Sequence, residues 1–217
     1  MTETVSKPEQ ADSPYPDAIG FGFAEVAALL SLAPGAAATA SAAALRVSDE
    51  VGDTRMVAAG GSSLVARGLA FADSDGVLSV GGPVAAVTRA LTTARRRIEI
   101  SLVAPDYSDS VVSIESAEYE ILMQPRSHLT WFAMAKRPDI TSAEANLFIV
   151  QSHCAEHPDG GALVKNRETP EAGELLIKVE EGAWTVGRRL PGADSVESKR
   201  GLSDGDVLAQ LRALRQD

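Results

Sequence analysis

The sequence predicts an α+β fold, with a central antiparallel sheet, N-terminal helices that include a winged-helix-like segment, and a closing C-terminal helix. Three observations carry this. Apolar residues recur at helical spacing before Arg95 and again after Ser203. Between those limits they alternate with a period of two, as half-buried strands require. Long helical stretches do not alternate with strands, which argues against a doubly wound parallel sheet.

The chain has 217 residues, 45% hydrophobic and 23% charged, which is enough for one large domain with a full core. Residues 1–20 hold Pro8, Pro14 and Pro16 among acids and small polar groups, and they read as a disordered tail ending near Ile19. Residues 21–217 then read as a single α+β domain, open to subdivision into a helical part, 21–97, and a sheet part with the last helix, 98–217.

Phe23 to Leu32 places Phe23, Val26, Ala27 and Leu30 on one helical face, with Glu25 early, where the helix dipole favours an acid. Pro34-Gly35 stops that helix, and Ala36 to Val47 is an alanine-rich second one. Residues 48–61 read as a polar, glycine-marked loop, part of which could extend a helix. Ser62-Ser63 reads as the cap of a short helix over Leu64 to Leu69. Asp73-Ser74-Asp75-Gly76 is a turn leading into Val77 to Val80, and Gly81-Gly82-Pro83 opens a helix from Val84 to about Ala94. Helix, hairpin, helix is the outline of a winged-helix-like unit.

Ile98, Ile100 and Leu102 begin the strands, followed by a loop at Pro105 to Asp109. Val111 to Met123 changes parity, which a bulge or a tight turn near Glu115–Ala117 explains. Pro125 ends that segment. Leu129 to Ala135 reads as a central strand, Pro138 to Ala145 as a connection or one helical turn, and Leu147 to Val150 as another buried strand. His153 to Gly161 reads as a loop and Ala162 to Lys165 as a strand. Leu175 to Val186 reads as a hairpin turning at Gly182 with one wet face. Ser203 caps the last helix, with Asp206 standing where a capping box usually has Glu.

A net charge of −10 excludes a protein that grips nucleic acid over its whole surface. One cysteine excludes a disulfide framework within the chain and favours a reducing, cytoplasmic setting. No basic start runs into an apolar stretch as a secretory signal would. The uncharged run from Val26 to Leu45 is broken by Pro34-Gly35 and reads as two short helices rather than a membrane span.

The histidines are His128, His153 and His157. His153-Cys154-x-x-His157 would share a face on a helix and could hold zinc, but it reads as a solvated loop between a strand and Pro158. His153 with Cys154 lacks the oxyanion loop of a nucleophilic site. Arg95-Arg96-Arg97 reads as a cationic helix C-terminus, with phosphate contact by Arg67, Arg89 and the triple arginine as the rival. Glu115, Glu118 and Glu120 crowd one segment and read as a solvated edge rather than a carboxylate pair. Gly81-Gly82 and Gly160-Gly161 lack the frame of a phosphate cradle. The expectation is a non-enzymatic binding protein with no cofactor, no metal and no assignable catalytic residue.

Residues 64–103, LVARGLAFADSDGVLSVGGPVAAVTRALTTARRRIEISLV, resemble the N-terminal half of the EspG family, cytosolic chaperones of mycobacterial type VII secretion. FAEVAALLSL is similar to that family's first helix, and Gly201-Leu202-Ser203-Asp204 with VLAQLRAL to a late one. The motifs are loose hydrophobic patterns over about half of the chain, which is shorter than family members usually are. The resemblance implies a central antiparallel sheet flanked by helices, and a protein that binds a helical secretion substrate of the PE–PPE type. The tyrosines are followed four positions on by Ile19, Val111 and Met123, so the Tyr-x-x-x-Asp/Glu export tag is missing. From the residues alone, the other reading is a winged-helix regulator that touches DNA and carries a ligand-sensing sheet.

Overall fold

The computed structural model describes residues 18–193 and 195–217. The expected tail falls almost wholly outside them, but its boundary is corrected. Ile19–Gly22 is a strand, β1, in antiparallel register with Thr130–Ala135. Phe21 is its buried anchor.

Five helices and a small hairpin follow: α1 (Phe23–Ser31), α2 (Ala36–Ala44), α3 (Ser48–Gly52), α4 (Thr54–Ala66), the hairpin β2 (Ala70–Ala72) and β3 (Leu78–Val80), and α5 (Gly82–Thr92). The expected loop at 48–61 is therefore helical. Asp53 caps α4 by accepting from the backbone N–H groups of Arg55 and Met56 at 2.9 and 3.4 Å, and Ser62 and Ser63 lie inside that helix. The glycines that read as a break let two helices touch, because a Cβ on Gly60 would sit 1.8 Å from the Ala24 carbonyl oxygen of α1.

The strands are β4 (Arg96–Ala104), β5 (Tyr107–Glu115), β6 (Glu120–Arg126), β7 (Thr130–Ala135), β8 (Gly161–Asn166), β9 (Glu174–Glu180), β10 (Ala183–Arg189) and β11 (Glu197–Leu202). With β1 they form, among the described residues, a nine-stranded sheet in the order β1-β7-β6-β5-β4-β8-β9-β10-β11, in which neighbouring strands pair antiparallel. The parity change near Glu115–Ala117 is a tight turn between β5 and β6. Three readings fail here. Tyr107 to Asp109 belongs to β5 instead of a loop, Pro125 sits inside β6, and β7 lies one strand from the edge. β11, unanticipated, is an exposed polar edge strand that breaks the apolar alternation.

The largest correction is α6, Ser142–Glu156, where a connection and a strand were expected. Thr141 and Glu144 form a capping box, with Thr141 N–H donating to Glu144 at 2.7 Å and Glu144 N–H donating to the Thr141 hydroxyl at 3.3 Å. The consecutive apolar residues Leu147 to Val150 hide the helical period because Phe148 points outward, 63% exposed. The last helix, α7 (Asp204–Arg215), starts at the Ser203–Asp206 box as anticipated.

Two cores lie on opposite faces of the sheet. In β4, Ile98, Ile100 and Leu102 join Val164, Leu175 and Ile177 under α6 and α7. The next residue along β4, Glu99, is in register with Val112, and Val112 belongs to the core under α1, α2, α4 and α5 with Ile114, Ile121 and Met123. Successive strand residues face opposite ways, so the two helical layers cover different halves of the sheet from different sides. Among the described residues, no helix is long and apolar enough to cross a membrane.

Candidate functional site

The divided helical cover leaves part of the sheet open, including a stretch on β8, β9 and β10. Leu163 of β8 pairs with Leu176 of β9, and Leu176 with Gly187 of β10, on the face opposite Val164 and Ile177. The core under α1, α2, α4 and α5 uses this face only on other strands, through Val112, Ile114, Ile121 and Met123, and neither core includes Leu163, Leu176 or Gly187. It forms an apolar trough of about 640 Å³ whose floor includes Leu163, Leu176 and Gly187, with Val103 and Val196 at its sides, 39% and 42% exposed. Gly187 lets Val196 pack close over the strand, since a Cβ there would come within 2.5 Å of the Val196 side chain. The β2–β3 hairpin adds a second exposed apolar surface, with Phe71 66% and Val77 61% exposed.

The residues singled out in the sequence do not come together. His153 lies on α6, buried, with Nε2 3.0 Å from the Val103 carbonyl oxygen, and His157 caps the helix end, so the solvated-loop reading is overturned. The two rings are 4.9 Å apart, and Tyr107 stacks on His157 at 4.5 Å. Cys154 is one residue further round the helix, about 100° from His153, and points into the core under the sheet. Burial pushes its thiol pKa up. Among the described residues, no three His, Cys, Asp or Glu side chains gather as a metal centre. His128 lies between β6 and β7, remote in the chain from the other two, at a left-handed backbone position shared by Leu129.

Arg67, Arg89, Arg96 and Arg97 are each held by a carboxylate, Arg89 at the surface, whereas Arg95 is exposed in the bend before β4. Arg96 and Arg97 open β4 rather than ending a helix. Arg97 is 2% exposed, donating to the Ser41 hydroxyl at 3.0 Å, to the Ala37 carbonyl at 2.6 Å, and to Glu168. Arg96 pairs with Glu115 and Asp217, Arg67 with Glu25, and Arg89 with Glu118. The glutamates diverge in the same way: Glu115 is buried against Arg215, Glu118 meets Arg89, and Glu120 meets Lys136. Gly81 is the N-cap residue of α5 and Gly82 opens that helix. Gly160 fits closely because a Cβ would lie 2.9 Å from His153 Nε2.

Sequence reasoning missed a charged group at the sheet centre. Glu99 is buried and pairs with Arg167 at 2.6 Å, Lys165 at 3.2 Å and Arg46 at 3.6 Å. Burial alone would raise its pKa, but the Arg167 hydrogen bond and the nearby Lys165 and Arg167 charges outweigh that and hold the carboxyl below its usual range. Alternation along β4 marked Glu99 as facing away from the Ile98 and Ile100 core, and only the register of β4 with β8 brings the cations to it.

No protein-family model matches the chain, and no curated protein matches it either.

Proposed function

We propose that this chain is a non-catalytic binding protein that shields an apolar helical segment of a partner, the role its resemblance to the EspG chaperones implies, with a secretion substrate of the PE–PPE type as that partner. The observation that carries the reading is the open trough on β8, β9 and β10. The two helical layers cover different halves of this sheet, and the trough is an apolar stretch left bare, where a helix from outside would supply the missing layer. Burial of Val103, Leu176 and Val196 would supply the driving force, at about 25 cal/mol per Å² of apolar surface. The acidic balance of −10 suits a carrier that stays dispersed while holding an apolar client.

The regulator reading finds less support. Arg67, Arg89, Arg96 and Arg97 each face a carboxylate, which leaves Arg55 and Arg95 as the remaining exposed arginines of the α4–hairpin–α5 region and its flank.

Co-expression with a PE–PPE-type helical pair, followed by affinity capture, tests the proposal. Wild type is expected to retain the pair, and the double variant Val103→Glu, Leu176→Glu to lose it while keeping the wild-type circular dichroism spectrum and Tm. A wild-type protein that does not capture the pair, yet shifts promoter DNA with a steep salt dependence, overturns the reading in favour of the regulator.

A further inference from the structure

Glu99 is surrounded by more positive charge than its burial requires. A buried carboxylate is satisfied by a cation and hydrogen bonds, and Arg167 at 2.6 Å and Lys165 at 3.2 Å already meet the same oxygen, Oε2. Arg46 adds a third cation, 3.6 Å from Oε1, with its side chain 76% exposed. Three cations over one carboxylate leave a local charge of +2 on a chain whose net charge is −10. The neighbouring acids do not cancel it. Glu174, opposite Lys165 in register, is held by Arg189, and Asp109 by Arg126.

Arg46 also occupies an unfavourable backbone position. The N–H of Val47 donates to the Ala42 carbonyl at 2.9 Å and that of Arg46 to the Ala43 carbonyl at 3.3 Å, the closing pattern of a helix whose C′ residue is left-handed. Arg46 is that residue, with φ of 57°, where glycine fits without strain. A side chain retained there at a conformational cost, and reaching solvent, suggests a use outside the fold.

Beside it lies a groove of about 620 Å³, walled by Arg46 and by the Asp109–Arg126 pair and floored by Ser101 and Ser110, which are directly opposed in register on the face that carries Glu99. Lys165, opposite Glu99 in register, and Arg167 are outside the groove lining. Tyr107, 41% exposed, lies along the same groove.

We propose that Arg46, Lys165 and Arg167 form a binding site for a small phosphomonoester, its phosphoryl group lying across the cations and its hydroxylated body lying over Ser101 and Ser110. A phosphoryl dianion matches the local +2, and its several acceptor oxygens can meet the forked guanidinium donors and the ammonium together, whereas a lone carboxylate would leave charge uncompensated. The two serine hydroxyls both donate and accept, as recognition of a sugar hydroxyl demands. Glu99 is the anchor that converges the cations, not a ligand contact. The site adjoins the trough, since Val103 lines both and Ser101 stands opposite Leu163 in register, but it requires no protein partner.

Isothermal titration at constant ionic strength, with ribose 5-phosphate and inorganic phosphate as separate probes, decides it. Both are expected to bind wild type, ribose 5-phosphate the tighter. Arg46→Gly is expected to weaken both by about tenfold or more while leaving Tm equal or higher, because glycine suits the left-handed position. Lys165→Ala is expected to weaken both similarly, and Ser101→Ala to weaken ribose 5-phosphate alone. The site is overturned if neither probe binds, or if Arg46→Gly and Lys165→Ala bind as wild type does. Binding of inorganic phosphate without ribose 5-phosphate overturns the phosphomonoester assignment, and so does preferential binding of a polyglutamate peptide. A fall in the Tm of Arg46→Gly would assign Arg46 to the fold and overturn the proposal from the structural side.

Discussion

Arg215, the last residue of α7, donates to Glu115 Oε2 at 2.9 Å beneath the middle of the sheet. The same guanidinium donates to Asn146 of α6 at 2.8 Å and is 2% exposed, so the last helix, α6 and the strand β5 are joined at one buried ion. Burial pushes the Glu115 carboxyl above its usual range in spite of the charges of Arg215 and Arg96. Removing one partner of a buried pair leaves the other without compensation. Arg215→Ala is therefore expected to cost about 3–5 kcal/mol in urea unfolding, whereas Arg215→Met combined with Glu115→Gln should cost clearly less. Equal costs would show that packing, not charge, decides this position.

Stability in acid should report on Glu99. Its folded pKa is lowered, so its contribution is complete above the ordinary value of 4.5 and is lost as pH falls through the folded value. Glu99→Gln is expected to reduce stability at neutral pH and to flatten the acid limb below pH 4.5, as read by denaturant midpoints across a pH series. Glu115 works against it, since its raised pKa means that the cost of its charge is relieved as pH falls. An acid limb equally steep in wild type and variant would remove Glu99 as the cause.

Gly60 offers a test whose sign is informative. On an isolated helix Gly→Ala stabilises by about 1 kcal/mol. Here the new methyl would meet the Ala24 carbonyl 1.8 Å away, so α1 and α4 must separate. Gly60→Ala is expected to destabilise by about 1–3 kcal/mol, seen as a lower Tm. A higher Tm would mean that the two helices are not in such close contact.

Cys154 should be silent in the folded protein. It is buried and its thiol pKa is raised by burial, so the thiolate is scarce as well as inaccessible. Labelling by a thiol-reactive disulfide is expected to be negligible in the native state and to follow the global unfolding curve as urea is added. Rapid labelling before unfolding would place the thiol in an open pocket.

How much of this was legible in the sequence depends on whether the signal was local. The box at Ser203 and Asp206, the Pro34-Gly35 stop and the Gly182 turn each act within a few residues, and each appears where the sequence places it. The α6 helix carries an equally local signal at Thr141 and Glu144, but the run Leu147 to Val150 overrode it, because four consecutive apolar residues carry no period. The Gly60-Gly61-Ser62-Ser63 stretch misled for a different reason. Its glycine serves a contact with Ala24, thirty-six residues earlier, which no window around residue 60 can show.

By itself, the sequence determined the mixed fold class, the antiparallel character of the sheet, the closing helix and the acidic net charge. These follow from periodicity, capping and charge count, which are properties of neighbouring residues. Only the tertiary structure decided that Arg96 and Arg97 are consumed by Glu115 and Glu168, that half of one sheet face lies bare, and that Arg46, Lys165 and Arg167 converge on Glu99. Each of these depends on which strands stand side by side, and that order is set by burial of two separate cores on opposite faces of one sheet.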